Sequence, residues 1–275
     1  SGGKNYIVAI TAGNTIKKVT SKNYSMSQKS LTDNSTINDI PVQIESFTGG
    51  ETILILTSQG NAIKTKVQDL KECKWRDKGA SLLSIDKNIV LNEVPVKIMK
   101  MPQEGSVLFM TKYGMVKKSD VKDLNVNKNF YQVCKVNDGD EIKNIEIDKN
   151  GTSILMLTRK GMSLNFDKAD IPTQGRISAG VKGINLDDDD SVIFAKQVDF
   201  PYVVVVTDNG FIKKLSTTQF PLSQRYRKGL RYINFAKNCK NVFFACDVEG
   251  NATLAVDFGL KILPMDTKKI PESER

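Results

Sequence analysis

One recurring pattern constrains the fold of this chain more than any other: a short apolar run, Thr-x-x-Gly, an apolar residue, and then lysine. It appears as YIVAITAGNTIKKV from Tyr6, TILILTSQGNAIKTK from Thr52, SVLFMTKYGMVKKSD from Ser106, SILMLTRKGMSLNF from Ser153 and YVVVVTDNGFIKKLS from Tyr202, and a shorter variant, TLAVDFGLKILPMD, starts at Thr253. The turn markers Asn14, Gly60, Gly114, Gly161, Gly210 and Gly259 are 46, 54, 47, 49 and 49 residues apart, a period close to 49. Asparagine is a fair substitute at position 14 because it tolerates the left-handed conformation that the turn requires.

Each copy predicts a β-hairpin: a run rich in Val, Ile and Leu, a glycine turn, and a returning strand. A second signal follows in WRDKGASLLSI (from Trp75), GRISAGVKGINL (from Gly175) and QRYRKGLRYINF (from Gln224), each basic, then glycine, then apolar. A further strand leads through a turn into the next copy, as in VKIMKMPQEGSVLFM from Val96. Four strands per repeat are expected, and no long 3.6-period amphipathic stretch interrupts them.

A four-stranded sheet cannot bury both of its faces alone, so repeats of this length predict radially arranged blades. The expected fold is all-β and propeller-like, with one domain over residues 5–275. About six four-stranded blades are expected, with five as the alternative, because the last copy offers only two identifiable strands before Arg275. Residues 1–4 read as the remnant of a cleaved tag, since Ser1-Gly2-Gly3 has neither a basic region nor an apolar core of a signal. The chain is thus expected to be a fragment of a larger protein.

Composition excludes several functional classes. No apolar run approaches the roughly 18 residues that span a bilayer. Histidine is absent, which removes the commonest general base and histidine-based triads, and with them the usual partners of a zinc site. The four cysteines, Cys73, Cys134, Cys239 and Cys246, stand at no metal-ligand spacing and suit a reducing compartment. Forty Lys+Arg against 31 Asp+Glu give a net charge of +9, which favours a polyanionic partner.

The apolar run, Thr-x-x-Gly and apolar-Lys-Lys, joined to Arg-x-x-x-Gly-Val-Lys-Gly-Ile over Arg176 to Ile184, resembles the C-terminal domain of the A subunit of bacterial type IIA topoisomerases, gyrase and topoisomerase IV. The resemblance covers residues 5 to 270. It implies a β-pinwheel, a propeller-like disc of five or six blades whose basic rim binds and bends duplex DNA. It implies no chemistry in this stretch: the cleaving tyrosine lies in the N-terminal part of such subunits and the ATPase on the B-type partner, so no cofactor is expected here, ATP and Mg belonging elsewhere in the enzyme. The implied partners are double-stranded DNA, the N-terminal part of the same polypeptide and the B-type ATPase subunit, in a bacterial cytoplasm near the nucleoid, with no membrane and a monomeric isolated domain.

Gyrase A subunits carry a box, Gln-Arg/Lys-Arg-Gly-Gly-Arg/Lys-Gly, that supports wrapping of positive handedness. The nearest segments here are Gln224-Arg225-Tyr226-Arg227-Lys228-Gly229, which lacks the double glycine, and Arg76-Asp77-Lys78-Gly79, which has an aspartate in its middle. The resemblance therefore favours topoisomerase IV, with a gyrase wrapping domain as the alternative and a protein-binding propeller as a reading from another class.

Two groups of residues are candidates for DNA contact. The lysines after the turns, Lys17 and Lys18, Lys64 and Lys66, Lys117 and Lys118, Lys213 and Lys214, recur at one place in four repeats, so DNA contact is preferred over a role as edge-strand lysines that block aggregation. The fourth repeat has Ser163, Leu164 and Asn165 instead, which predicts a blade off the DNA path. The glycine loops hold Arg76 and Lys78, Arg176 and Lys182, and Arg225, Arg227, Lys228 and Arg231; glycine admits a phosphate close to the backbone and arginine offers a planar fork of donors. Asp187 to Asp190 reads as a solvated turn, since it lacks the alternating ligands of a calcium loop. Trp75, Tyr113, Tyr131, Tyr226 and Tyr232 are expected to pack between blades rather than stack on bases.

Overall fold

The computed structural model describes residues 3–28, 40–249, 253–257 and 262–275, with the backbone alone over 253–257 and 262–265. Gly259, the last turn marker, lies outside the described residues. The chain divides into two compact units, one of residues 1–106, 119–136 and 175–178, the other of 107–118, 137–174 and 179–275.

The first unit holds two four-stranded sheets. In the first, the hairpin Asn5–Thr11/Thr15–Thr20 is flanked by Pro41–Thr48 and by Ala80–Ser81. In the second, Thr52–Thr57/Asn61–Lys66 is flanked by Pro95–Lys100 and by Phe130–Gln132. Their core gathers Tyr6, Val8, Ile10, Phe47, Ile53, Ile55 and Ile98 among others. The sequence pattern did not mark a short helix, Ser21–Gln28, none of whose residues is buried.

Most of the third sheet lies in the second unit: the hairpin Ser106–Thr111/Met115–Asp120 pairs with Ile142–Ile147 and Val181–Lys182. The fourth joins Ile154–Thr158/Met162–Phe166 to Val192–Gln197 on one side, and to Leu222–Ser223 and Leu230–Arg231 on the other. The fifth joins Tyr202–Thr207/Ile212–Ser216 to Val242–Val248 and Glu272–Ser273. The sixth hairpin, Thr253–Asp257/Ile262–Asp266, forms a two-stranded sheet.

This topology corrects two expectations. A four-stranded sheet is not built from one repeat: its fourth strand comes from the repeat that follows, so Ala80–Ser81, downstream of the second hairpin, pairs with the first. The last hairpin gives Glu272–Ser273 to the fifth sheet, and among the described residues it receives no fourth strand. Five sheets therefore stand, four of them four-stranded and the fourth with five strands, which is the five-blade alternative rather than the six that were preferred.

The Thr-x-x-Gly signature has a direct physical cause. In five hairpins the marker's N–H donates to the carbonyl of the threonine, from Asn14 to Thr11 (2.9 Å), Gly60 to Thr57 (3.1 Å), Gly114 to Thr111 (3.0 Å), Gly161 to Thr158 (3.1 Å) and Gly210 to Thr207 (3.0 Å). The same threonine's Oγ1 accepts the N–H of the residue after the marker: Thr15, Asn61, Met115, Met162 and Phe211, at 3.0–3.2 Å. A buried hydroxyl closes each turn that only a left-handed residue can complete; φ at the markers runs from 65° at Asn14 to 94° at Gly161.

In the five larger sheets the apolar runs are continuous rather than alternating because each lies in the middle of its sheet and is covered on both faces. Ile53 to Leu56 and Val203 to Val206 are wholly buried. Each such side chain contributes roughly 1.5–3 kcal/mol of hydrophobic stabilisation.

Candidate nucleic-acid interface

The lysines that follow the turns are not where the pattern placed them. Lys17, Lys18, Lys117, Lys213 and Lys214 are each less than a tenth exposed. Buried ammonium groups need partners, and these have them: Lys17 Nζ donates to the Trp75 carbonyl (2.8 Å) above the indole ring, and Lys213 Nζ to the Tyr232 carbonyl (3.0 Å). Lys117 Nζ lies 5.5 Å from the centre of the Phe109 ring. Burial lowers the pKa of Lys213; it also lowers that of Lys18, against the opposing pull of Glu72 and Asp69.

The position four residues beyond the turn marker has one recurring task. Lys18 donates to the Gln68 carbonyl (3.3 Å), Lys64 to the Val126 carbonyl (3.0 Å) and Lys214 to the Thr267 carbonyl (3.2 Å). Each acceptor lies in or just after the short 3₁₀ turn that ends the next hairpin. Asn165, which seemed to break the pattern, does the same with its Nδ2 to the Phe220 carbonyl (3.0 Å). These side chains tie one repeat to the next, which is neither the DNA contact expected of them nor the edge protection weighed against it. Lys118 pairs with Asp148 at 3.9 Å, and Lys66, exposed, donates to the Gly50 carbonyl (3.2 Å).

The glycine loops behave differently. In the first unit Arg76 and Lys78 are exposed, and neither side chain has a hydrogen-bond partner among the described residues. Asp77 Oδ2 instead accepts the Lys74 N–H (2.8 Å), which fixes the loop. Arg176 donates to the Gln132 carbonyl (2.9 Å) and is half-buried.

The densest basic surface lies in the second unit. The Tyr226 N–H donates to the Gly183 carbonyl (2.5 Å) and the Asn185 N–H to the Arg227 carbonyl (2.9 Å), so the 224–229 loop is stitched to the strand that begins at Val181. Tyr226 accepts a left-handed φ of 59° to make this fit. Lys182 Nζ lies 4.8 Å from the centre of the Tyr226 ring and 3.2 Å from its hydroxyl, so this tyrosine is exposed and not packed between sheets. Arg225 is a brace: it donates to the Lys182 carbonyl (2.9 Å) and pairs with Asp170 (3.3 Å). Arg227, Lys228 and Arg231 are exposed.

Lys228 Nζ meets Asp187 Oδ1 at 2.8 Å, which raises its pKa, and Arg231 Nη1 reaches the Lys160 carbonyl (3.4 Å). Arg159 and Lys160, the two turn residues of the fourth hairpin, join this surface, with Lys160 paired to Asp189. Pattern reading missed them, although basic residues inside Thr-x-x-Gly were a visible signal. Asp187 to Asp189 are solvated as expected, whereas Asp190 is buried and accepts the N–H groups of Lys160 (3.0 Å) and Ser191 (2.8 Å). Tyr113 is also exposed, whereas Trp75 packs edge-on to Tyr24, with ring centres 4.9 Å apart.

Residues 51–88, 152–199 and 201–242 match the family of the DNA gyrase C-terminal domain, beta-propeller. The chain is 27% identical over 237 residues to the A subunit of DNA topoisomerase 4 from Bacillus subtilis (strain 168), covering 82% of this chain and 29% of that protein. The crystal structure of the C-terminal domain of DNA topoisomerase IV superposes with a TM-score of 0.86 at 22% identity, covering 99% of this chain and 86% of that one. A DNA gyrase A C-terminal domain superposes with a TM-score of 0.69 at 21% identity, covering 98% and 92%.

The chain is thus similar in sequence to topoisomerase 4 and gyrase A subunits, and similar in fold to their C-terminal domains. Like them it is an all-β propeller, here with five blades of four or five strands. It spans less than a third of the length of the Bacillus subtilis protein.

Proposed function

We propose that this protein is the non-catalytic DNA-binding domain of a topoisomerase A subunit, which bends or wraps a duplex segment and presents it for ATP-dependent strand passage by the full enzyme. The observation that carries this reading is the exposed cation set on the glycine loops: Arg227, Lys228, Arg231 and Lys182 in one unit, Arg76 and Lys78 in the other. Such groups contact phosphates, which position DNA without reading its sequence. Lys17, Lys18, Lys117, Lys213 and Lys214 are left out of this set because they are buried, and Lys64, Lys66 and Lys118 because their ammonium groups are engaged by Val126, Gly50 and Asp148.

The reading extends to topoisomerase IV, with decatenation and relaxation as the outcome, in a bacterial cytoplasm and alongside the B-type ATPase subunit. The incomplete gyrase box over 224–229 supports that choice, as do relatives that carry that name and the larger TM-score against a topoisomerase IV domain.

The test of DNA binding is duplex affinity measured across a salt series. Engagement of about 6–10 phosphates weakens binding by roughly 10³ to 10⁵ between 50 and 200 mM salt. A flat slope, or no binding at low salt, overturns the reading and favours a protein-docking propeller. With the full enzyme and ATP, negative supercoiling instead of decatenation overturns the choice of topoisomerase IV.

A further inference from the structure

The basic surface of the second unit is partly neutralised from within. Lys228 is paired to Asp187 and Lys160 to Asp189, while Asp188 stands exposed between them and adds to the field that holds the Lys228 proton. Arg225 carries Asp170 on its Nε. In the first unit, by contrast, Arg76 and Lys78 form no ion pair among the described residues.

These carboxylates are not needed to hold the loop in place. The backbone bonds from Tyr226 to Gly183 and from Asn185 to Arg227 do that, and Asp190, the buried member of the run, supplies the turn's hydrogen bonds. Both partners of the Lys228 pair are about two-thirds exposed, and Asp189 of the other pair is 72% exposed. Exposed pairs of this kind contribute little to stability and exchange partners readily.

We infer that Asp187, Asp188 and Asp189 are an intramolecular competitor for the phosphate backbone: they occupy Lys228 and Lys160 in the free protein and are displaced when a duplex binds. This rests on the DNA-binding reading above and adds regulation to the same surface. The competitor lowers affinity for any polyanion and makes release easier, as a domain that passes DNA on to strand-passage machinery requires. It also sets a threshold, since only a ligand with enough adjacent phosphates to replace both carboxylates gains both cations.

The test is the D187N/D188N/D189N variant, with Asp190 left intact, beside a charge-matched control, E104Q/D138N/E249Q, whose three exposed carboxylates lie elsewhere. Duplex affinity is read by fluorescence anisotropy between 50 and 200 mM salt, and melting temperature checks the fold. Wild type and variant make the same phosphate contacts once the duplex is bound, but only the wild type must first give up two ion pairs. The aspartate variant is expected to bind more tightly than the control at 50 mM, by roughly 2- to 30-fold for two exposed pairs, and this advantage narrows by 200 mM as salt screens the pairs that the duplex must displace.

If the wild type binds and the two variants gain equally, the effect is net charge alone and the competitor is refuted, while DNA binding stands. If neither the wild type nor the aspartate variant binds at 50 mM, both readings fall. Binding by the aspartate variant alone supports the competitor directly.

Discussion

The ammonium of Lys214 lies 3.2 Å from the backbone carbonyl of Thr267, in a site where the lysine is 8% exposed and the threonine is buried completely. The pair joins the fifth hairpin to the 3₁₀ turn that follows the sixth. The Tyr202 ring, 4.9 Å away, lies beneath the same nitrogen. A charge held in this way stabilises the fold and is not offered to a ligand.

Lys214→Ala is therefore expected to destabilise the protein by about 1.5–3 kcal/mol, because the buried Thr267 carbonyl loses its charged donor, although the Ile270 N–H still donates to it. Lys18→Ala, which strips the donor from the Gln68 carbonyl, is expected to act in the same direction. Thermal melting checks the loss. Duplex binding by the still-folded variants should keep the wild-type salt slope, and a shallower slope would return these lysines to the DNA-contacting set.

Gly229 is a second point where the crossing strands fix the sequence. Its φ is +80°, and a Cβ there would stand 1.9 Å from the Ser163 carbonyl oxygen. Gly79 and Gly180 make the same approach to Ile16 and Val116, each two residues beyond a turn marker. Gly229→Ala should cost more than the roughly 1 kcal/mol of an ordinary glycine effect, because backbone must also shift. Gly175→Ala, with no atom within 4 Å of the added carbon, is the matched control and should change stability little. Equal melting temperatures for the two variants would refute the close approach.

Alkaline pH should unfold the protein through its buried tyrosines. Burial raises the Tyr131 pKa to about 12, and it raises that of Tyr232 in the same direction. A phenol whose folded pKa is raised is fully stabilising below its unfolded value of 10.0, and that stability is lost as pH rises from there toward 12. For Tyr131 the loss is on the order of 2–3 kcal/mol. Tyr131→Phe also gives up the hydroxyl's bond to the Leu124 carbonyl, so it should be less stable at pH 8 yet flatter between pH 10 and 12. Parallel denaturation curves for the two proteins across that window would refute the assignment.

What the sequence revealed and what it concealed have one cause. Thr-x-x-Gly closes through bonds that span four residues or fewer, so hairpins, period and all-β class were legible from local pattern alone. Burial of Lys17, Lys18, Lys213 and Lys214 depends on partners 19 to 58 residues away. No local rule separates such a lysine from one on an exposed edge. Six blades were preferred over the five that form for the same reason: a chain in which each sheet borrows its fourth strand from the next repeat has one fewer complete sheet than it has hairpins. The segment over 224–231 was legible as an exposed basic loop because glycine and arginine at close spacing mark one locally, although Arg225 proved to be a brace.

The division between braces and exposed cations gives the sharpest mutational prediction. Arg227, Lys228 and Arg231 are exposed, whereas Arg225 is held by Asp170 and the Lys182 carbonyl. Replacing the three exposed residues with alanine frees up to three phosphates from the protein, so the salt slope of duplex binding should become shallower by about 0.9 for each of them. Affinity for two duplexes of unrelated sequence should fall by the same factor, since phosphates carry no base information. Melting temperature should barely move, in contrast to Lys214→Ala. Arg225→Ala should behave in the mixed manner of a support, with a lower melting temperature and weaker binding, because the loop that carries its neighbours loses an anchor. Anisotropy on both duplexes at several salt concentrations, paired with thermal melts, separates these outcomes; if the triple variant keeps the wild-type affinity and slope, the 224–231 surface is not where the duplex runs.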